Sequence, residues 1–334
     1  MRVKFLWSST FSVFAIGLIG LISGYGIANA RAQTHIASVL ASIHPIRLQN
    51  DKYSLVNPLV AYETPETTTL KEYAALKDAT QRIIDDHRDE INRISVYYRN
   101  LNTGDWIGIN QNDTYYPASL LKVPVMIALF HEAETNPSIM QSRIVYKTIS
   151  SGDVFDMPSS LVPGTSYSYE DLLKHMITDS DNGATYTLLD HIDQATLDEV
   201  YTDLGITKPD PSDTAAYQIS TRTYALFFRI LYNATYLTPE YSQKALELLA
   251  RTTYNDGLVA GIPVGTTVVH KYGEHVVSTD RKKVQGLELH DCGIVFHPKQ
   301  HYLLCVMTQT KTPESAPLIL SAISKEVYDS VSAH

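Results

Sequence analysis

Clusters of basic residues are nearly absent from this sequence. Its 334 residues include 27 Lys and Arg against 36 Asp and Glu, which gives a net charge of −9. The longest basic run, Arg281-Lys282-Lys283, is typical of a solvated turn. Because nucleic-acid binding requires a positively charged stripe or patch, we expect no nucleic-acid partner.

Cysteine is scarce, with Cys292 and Cys305 alone in the chain. The segment between them is typical of a hairpin with residues 297–300 as its loop, and this register places the two cysteines directly opposite each other. An exported protein could bond them, whereas a register slip of one residue favours two buried free thiols, so both states stay open. We expect no metal and no cofactor, because four-ligand zinc spacing is lacking among the nearby histidines: His290, His297 and His301.

Long apolar runs are confined to the N-terminus. Arg2 and Lys4 precede an uncharged stretch from Phe5 to Ala28, and the sequence that ends at Ala30 suits signal peptidase. The uncharged stretch is also just long enough to span a bilayer with tilt. Residues 1–32 are therefore either a cleaved signal peptide or a membrane anchor, and both place the remaining chain outside the cytoplasm, as a secreted, periplasmic or outward-facing anchored protein.

The rest of the chain divides by its patterns. Residues 33–65 are polar with scattered Pro and Thr, which is typical of a tether. Helical periodicity follows over 70–94, and a β-hairpin pattern surrounds Asn102–Asp105. The patterns are then helical from 117 to about 250, followed by three strand patterns and a closing helix over 316–331.

This order of elements predicts an α+β domain over residues 66–334. Strands from both ends of the domain can form one antiparallel sheet with the terminal helices packed on it. The intervening segment would form an all-helical lobe over about 115–255. We expect a site in the cleft between the sheet and this lobe.

Ser119 and Lys122 lie at the start of an apolar segment, in the stretch PASLLKVP. One interpretation is an ordinary buried helix that begins with a serine and whose lysine reaches out to water. The other is a nucleophile and its base, three residues apart on one helix face. Short motifs arise often by chance, so this stretch alone leaves both interpretations open.

Two further motifs follow in the chain. Ser180-Asp181-Asn182 is by itself a common turn or helix cap, and Lys271-Tyr272-Gly273 a common strand end. Together and in this order, the three motifs resemble the S-x-x-K, S-D-N and K-T-G set of class A β-lactamases and penicillin-binding proteins. The resemblance extends over about 66–334 and implies their β-lactamase/transpeptidase-like fold. The residues around Ser119 are closer to penicillin-binding proteins and class D enzymes.

The resemblance also implies catalytic roles. Ser119 would attack the substrate carbonyl, Lys122 would take its proton, and Ser180 would relay a proton to the leaving nitrogen. The backbone N–H groups of Ser119 and Glu274 would form the oxyanion hole.

Substrate-binding roles are implied for the remaining motif residues. Asn182 would hold the substrate's side-chain amide, and Lys271 would attract its carboxylate. Tyr272 and Gly273 would line the same strand. Asp181 is expected to stabilise its turn rather than touch substrate.

Two features depart from the family pattern. Tyr272 stands where the family carries Thr or Ser, and a phenol either donates a hydrogen bond there or narrows the site. The Ω-loop glutamate that activates the deacylating water in class A enzymes is also missing, because no Glu occurs between Glu199 and Glu240. Asp210 and Asp213 lie in this loop, but loop aspartates are mostly turn formers.

We therefore expect an exported serine hydrolase of the class A β-lactamase type. A β-lactam or a cell-wall peptide ending in D-Ala would acylate Ser119, and hydrolysis of the acyl-enzyme would be slow. The alternatives are a DD-peptidase or transpeptidase like the penicillin-binding proteins, or a non-catalytic wall-binding scaffold, which Ser119 buried behind Tyr272 would favour. We expect a monomer that touches the membrane only through an uncleaved N-terminal segment.

Overall fold

The computed structural model describes residues 44–47, 52–63, 71–147, 159–210, 212–213, 217–280 and 283–333. The predicted signal peptide or anchor lies outside these residues, as do most of the tether and the Arg281-Lys282 pair. Within them, no helix has both the length and the apolarity needed to cross a membrane.

The helices alternate with short strands in the middle of the chain. The α-helices are α1 (Lys71–Asp86), α2 (Lys122–Thr135), α3 (Tyr169–Thr178), α4 (Asn182–Leu189), α5 (Gln194–Asp203), α6 (Thr221–Asn233), α7 (Pro239–Leu249) and α8 (Ser315–Ala333). Short 3₁₀ helices span Ala118–Leu121, Pro137–Gln141 and Val259–Gly261. The strands are β1 (His44–Arg47), β2 (Leu59–Glu63), β3 (Ile91–Asn100), β4 (Trp106–Ile109), β5 (Thr114–Tyr115), β6 (Arg143–Val145), β7 (Ser166–Ser168), β8 (Ile219–Ser220), β9 (Val268–Asp280), β10 (Lys283–Val295) and β11 (Tyr302–Thr310).

One antiparallel sheet organises the compact unit formed by residues 46–61 and 70–334. Its strand order is β4-β3-β11-β10-β9. The chain's other unit, residues 1–45 and 62–69, is described only at residues 44–45 and 62–63. The predicted α+β sheet, built from strands at both ends of the domain, is confirmed.

Side chains that alternate along the central strand β11 build two cores. Tyr302, Leu304 and Val306 face the core that includes α1 and α8. Leu303 and Met307 face the opposite core, which holds the buried parts of α2, α3 and α6. This strand is buried on both faces, which explains its run of apolar residues. The sheet lies between the terminal helices on one face and the helical lobe on the other.

The predicted helix over 70–94 is wrong at its C-terminal end. The helix stops at Asp86, and β3 begins at Ile91. The last turn of α1 carries Asp85 and Asp86 and no basic residue, and acidic side chains there oppose the helix dipole. Pairing of β3 with β11 and β4 then extends the following segment.

The register predicted for the last hairpin is confirmed. Cys292 pairs with Cys305 across β10 and β11, and Val295 pairs with Tyr302. The two sulfur atoms form a disulfide, and both cysteines are fully buried. The free-thiol alternative is therefore wrong for this hairpin.

Candidate active site

Ser119 lies in the 3₁₀ turn that leads directly into α2. The caps of the turn and of the helix are Pro117 and Leu121, so Ser119 is not a capping residue. The preceding Ala118 has φ 48°, a left-handed conformation that is costly for a residue with a Cβ and typical of functional sites. Ser119 itself is half-buried, so its hydroxyl is not sealed in the core.

Gly273 brings strand β9 against this turn. A Cβ on Gly273 would lie 3.0 Å from the Pro117 carbonyl oxygen and 3.2 Å from the Ser119 and Leu120 nitrogens. In the described part of the sheet, β9 is an edge strand, and alternate backbone N–H groups of an edge strand have no strand partner. This close approach brings together the two backbones that carry Ser119 and Glu274, and an oxyanion hole formed by their N–H groups stays a prediction.

Replacing Gly273 with Ala should slow acylation of Ser119 by at least about 10-fold, since small displacements of reacting groups carry large rate costs. The added methyl must push β9 away from the backbone of the turn, which cannot yield as a side-chain tip can. The rate is measured by intact-protein mass after addition of a penicillin. The control is Gly108→Ala, whose Cβ would meet only the side chain of Gln111. Equal rates in the two variants would contradict a tight contact of β9 with the turn.

Lys122 points inward and ties the first motif to the second. Its Nζ donates to the Ser180 carbonyl oxygen at 2.5 Å, to Ser180 Oγ at 3.0 Å and to Asn182 Oδ1 at 2.8 Å. The side chain is only 4% exposed. The interpretation of Lys122 as a lysine that reaches out to water is therefore wrong.

The second motif is held in place by its middle residue. Asp181 caps α4 by accepting from the Ala184 N–H at 2.7 Å, and it also accepts from the hydroxyl groups of Tyr146 and Ser159. Ser180 has φ 57°, a left-handed conformation that such anchoring stabilises. These contacts fit the expectation that Asp181 stabilises the turn.

Lys271 approaches Ser180 from strand β9. Its Nζ donates to Ser180 Oγ and to the Tyr272 carbonyl oxygen, both at 3.0 Å. The side chain is 0% exposed, and desolvation lowers its pKa to about 7, although the nearby carboxylates Asp291 and Glu274 oppose the shift. A buried lysine with such a pKa holds or releases a proton near neutral pH. Ser180 Oγ therefore accepts from two lysines, Lys122 and Lys271.

Tyr272 stacks on Tyr254, with ring centroids 4.1 Å apart and an interplanar angle of 18°. Burial raises the pKa of Tyr272 to about 12, and a hydrogen bond with the Ser180 side chain opposes part of this shift. The next residue, Glu274, is half-buried, and burial raises its pKa as well. The Tyr272 phenol therefore remains protonated at neutral pH.

The Ω-loop aspartates face solvent where the structure describes them. Asp210 accepts from the Ser212 N–H at 2.8 Å and from the Ser212 hydroxyl at 2.6 Å, which lowers the pKa of this exposed carboxyl. Asp213 is exposed too. A general base must reach the water that it activates, and Asp210 is instead a turn former.

Sequence reasoning missed the buried residues of β9 and β10 that pack next to the motif residues. His290 pairs with Gly273 across the sheet and donates from Nε2 to the Tyr116 carbonyl oxygen at 3.0 Å. Burial lowers its pKa to about 4, so the ring is neutral. His270 in β9 and Asp291 in β10 form a buried pair, with His270 Nδ1 2.8 Å from Asp291 Oδ1. No local sequence signal marks these residues, because their partners lie far along the chain. Within the described part of the chain, no His, Cys, Asp or Glu side chains group to hold a metal ion.

Comparison with solved structures places this arrangement in a known fold. PBP-A is 22% identical, with 78% of this chain and 97% of that chain covered and a TM-score of 0.63. A class A β-lactamase from Bacteroides cellulosilyticus is 20% identical, with coverages of 78% and 99% and a TM-score of 0.66. A class A β-lactamase from Mycobacterium abscessus is 19% identical, with coverages of 76% and 99% and a TM-score of 0.64. The β-lactamase/transpeptidase-like fold is thereby confirmed.

The sequence itself matches the profile of the Beta-lactamase enzyme family over residues 75–331. This match covers more than half of the chain, and the chain belongs to that family. It is a β-lactamase-like serine hydrolase, a class of enzyme that acts on lactam amide bonds. A search of curated proteins found no match.

Proposed function

We propose that this protein is an exported serine acyl-transfer hydrolase that a β-lactam or a D-Ala-type peptide acylates at Ser119 and that releases the acyl group slowly. The observation that carries the proposal is the convergence of Lys122 and Lys271 on Ser180 Oγ, each at 3.0 Å. Nucleophilic catalysis needs such a connected set of proton-transfer groups. The buried disulfide supports export, since disulfides persist in oxidising compartments.

Acylation in this proposal begins at Ser119 and uses the contacts of Lys122 with Ser180 and Asn182. Ser119 Oγ forms a bond to the carbonyl carbon while its proton passes to the Lys122 amine, which must be neutral and give up one of its donated hydrogen bonds to accept it. The developing oxyanion accepts from the N–H groups of Ser119 and Glu274. The carbon–nitrogen bond of the substrate then breaks. The leaving nitrogen takes a proton from Ser180, which Lys122 restores. Asn182 holds the substrate's amide while its Oδ1 positions Lys122.

Deacylation lacks its usual base. Water must attack the ester at Ser119 and give up a proton, but the Ω loop offers no Glu, and Asp210 is held in a solvent-exposed turn. The likeness to PBP-A supports a persistent intermediate, because a point mutant of PBP-A was solved as an acyl-enzyme complex with penicillin G.

Incubation of the wild-type protein with penicillin G should produce an adduct that remains for hours. Intact-protein mass, followed from seconds to hours, measures both its formation and its loss. An adduct that clears with release of the hydrolysed product would contradict slow deacylation and indicate a base other than the usual Glu. Absence of any adduct would contradict the acylation of Ser119 by lactams.

The missing Glu and the likeness to PBP-A also favour a second candidate, a DD-peptidase or transpeptidase of the penicillin-binding type. In that case an amine or water resolves a peptidyl acyl-enzyme. Release of D-Ala from a peptide ending in D-Ala-D-Ala would identify it. The scaffold alternative gains no support, because Ser119 is half-buried rather than sealed behind Tyr272.

A further inference from the structure

The ring of Tyr272 lies against the ammonium group of Lys271. The Lys271 Nζ lies 4.3 Å from the centroid of the Tyr272 ring, a cation–π distance. Its two hydrogen bonds go to Ser180 Oγ and to the Tyr272 carbonyl oxygen. Because the whole side chain is 0% exposed, an incoming carboxylate does not reach this ammonium without displacing the ring.

The ring is itself fixed from behind. Tyr254 stacks on Tyr272 at a centroid distance of 4.1 Å, and both tyrosines pack against the core that holds α1 and α8. The Tyr254 hydroxyl is buried and has no hydrogen-bond partner among the described residues, so Tyr254 contributes ring surface to the stack rather than a hydrogen-bond donor. Removing Tyr272 from the path of a substrate therefore requires breaking the aromatic stack.

Apart from Lys271, which lies against the Tyr272 ring, the charged groups that act on this aromatic pair are carboxylates. The charged groups that raise the pKa of the Tyr272 phenol are Glu274, Asp291 and Asp179. Asp256 acts on the Tyr254 phenol and on Glu274 in the same direction. A substrate carboxylate brought here would be desolvated next to like charges, which is unfavourable unless a cation pairs with it.

We propose that Tyr272 makes the site select acyl donors that place an uncharged group beside Ser180. In such a donor, an ester or a neutral amide replaces the carboxylate at that position. The inference rests on the proposed acylation of Ser119. In this inference, the Lys271 ammonium contacts Ser180 and the ring of Tyr272 and does not bind a substrate carboxylate. In a lactam with either group, Ser119 Oγ replaces the ring nitrogen at the carbonyl carbon. The ring opens, and the nitrogen takes a proton and stays attached to the acyl group.

The test compares penicillin G with its methyl ester, which differ only at the group concerned: a carboxylate in the acid and an uncharged methyl ester in its place. Acylation rates of the wild-type full chain are measured by intact-protein mass. The ester should react at least as fast as the acid. In Tyr272→Thr, which removes the ring, the acid should gain at least about 10-fold relative to the ester, a change of the size expected for one charged contact. In Tyr272→Phe, which keeps the ring, the acid-to-ester ratio should stay close to that of the wild type.

Each outcome decides the question. A wild-type protein that reacts faster with the acid than with the ester overturns the proposal, and this result does not depend on the folding of any variant. A ratio in Tyr272→Phe that shifts as far as in Tyr272→Thr shows that the phenol, and not the ring, selects the substrate, and it also overturns the proposal. If neither compound acylates the wild type, the proposed function itself fails, and the inference fails with it.

Discussion

Ser119→Ala should abolish covalent labelling by penicillin G, with acylation at least about 10³-fold slower than in the wild type. The variant loses the hydroxyl oxygen at which we propose that the ester forms, while the turn that carries it stays intact because Ser119 is not a capping residue. Intact-protein mass measures the adduct, and peptide mapping measures its position. We expect the melting temperature to change little.

Ser138→Ala is the matched control for this variant. Ser138 is an exposed serine in the 3₁₀ helix Pro137–Gln141, and its loss should leave the labelling rate as it is. An adduct that forms on Ser119→Ala at the wild-type rate would place the nucleophile elsewhere. The assignment of the S-x-x-K motif to catalysis would then be wrong.

Lys122→Ala and Lys122→Arg should both slow acylation, by about 10²-fold to 10⁴-fold, the range that general bases contribute. The alanine variant removes the base and leaves Ser180 and Asn182 without a donor that they have in the wild type. The arginine variant keeps the positive charge, but a guanidinium does not give up its proton at neutral pH. The measurement is the rate constant for adduct formation.

The arginine variant separates the two roles of Lys122. If Lys122 only orders Ser180 and Asn182, Lys122→Arg should retain a rate well above that of Lys122→Ala. If Lys122 takes the proton of Ser119, both variants should be equally slow. Lys147→Ala, which breaks an exposed ion pair with Asp190, is the control for loss of a surface lysine. A near-wild-type rate in Lys122→Arg would refute the base assignment.

The sequence by itself determined the framework of this protein. The order of the three motifs identified the class, and strand patterns at both ends of the domain predicted a single sheet. The hairpin register that pairs Cys292 with Cys305 was also readable, because the side-chain period of a strand and the short loop leave few alternatives. These features depend on local periodicity or on motif order, which a chain displays without folding.

Only the tertiary structure decided how the site is assembled. Lys122 and Lys271 are 58 and 91 residues from Ser180 along the chain, yet both donate to its hydroxyl oxygen. Likewise, the stack of Tyr254 on Tyr272 depends on where the segment before β9 folds back. Long-range packing of β9 against the turn of Ser119 creates these contacts. A one-dimensional pattern of residues contains the groups but not the distances between them, and those distances decide that both lysines meet at Ser180 Oγ.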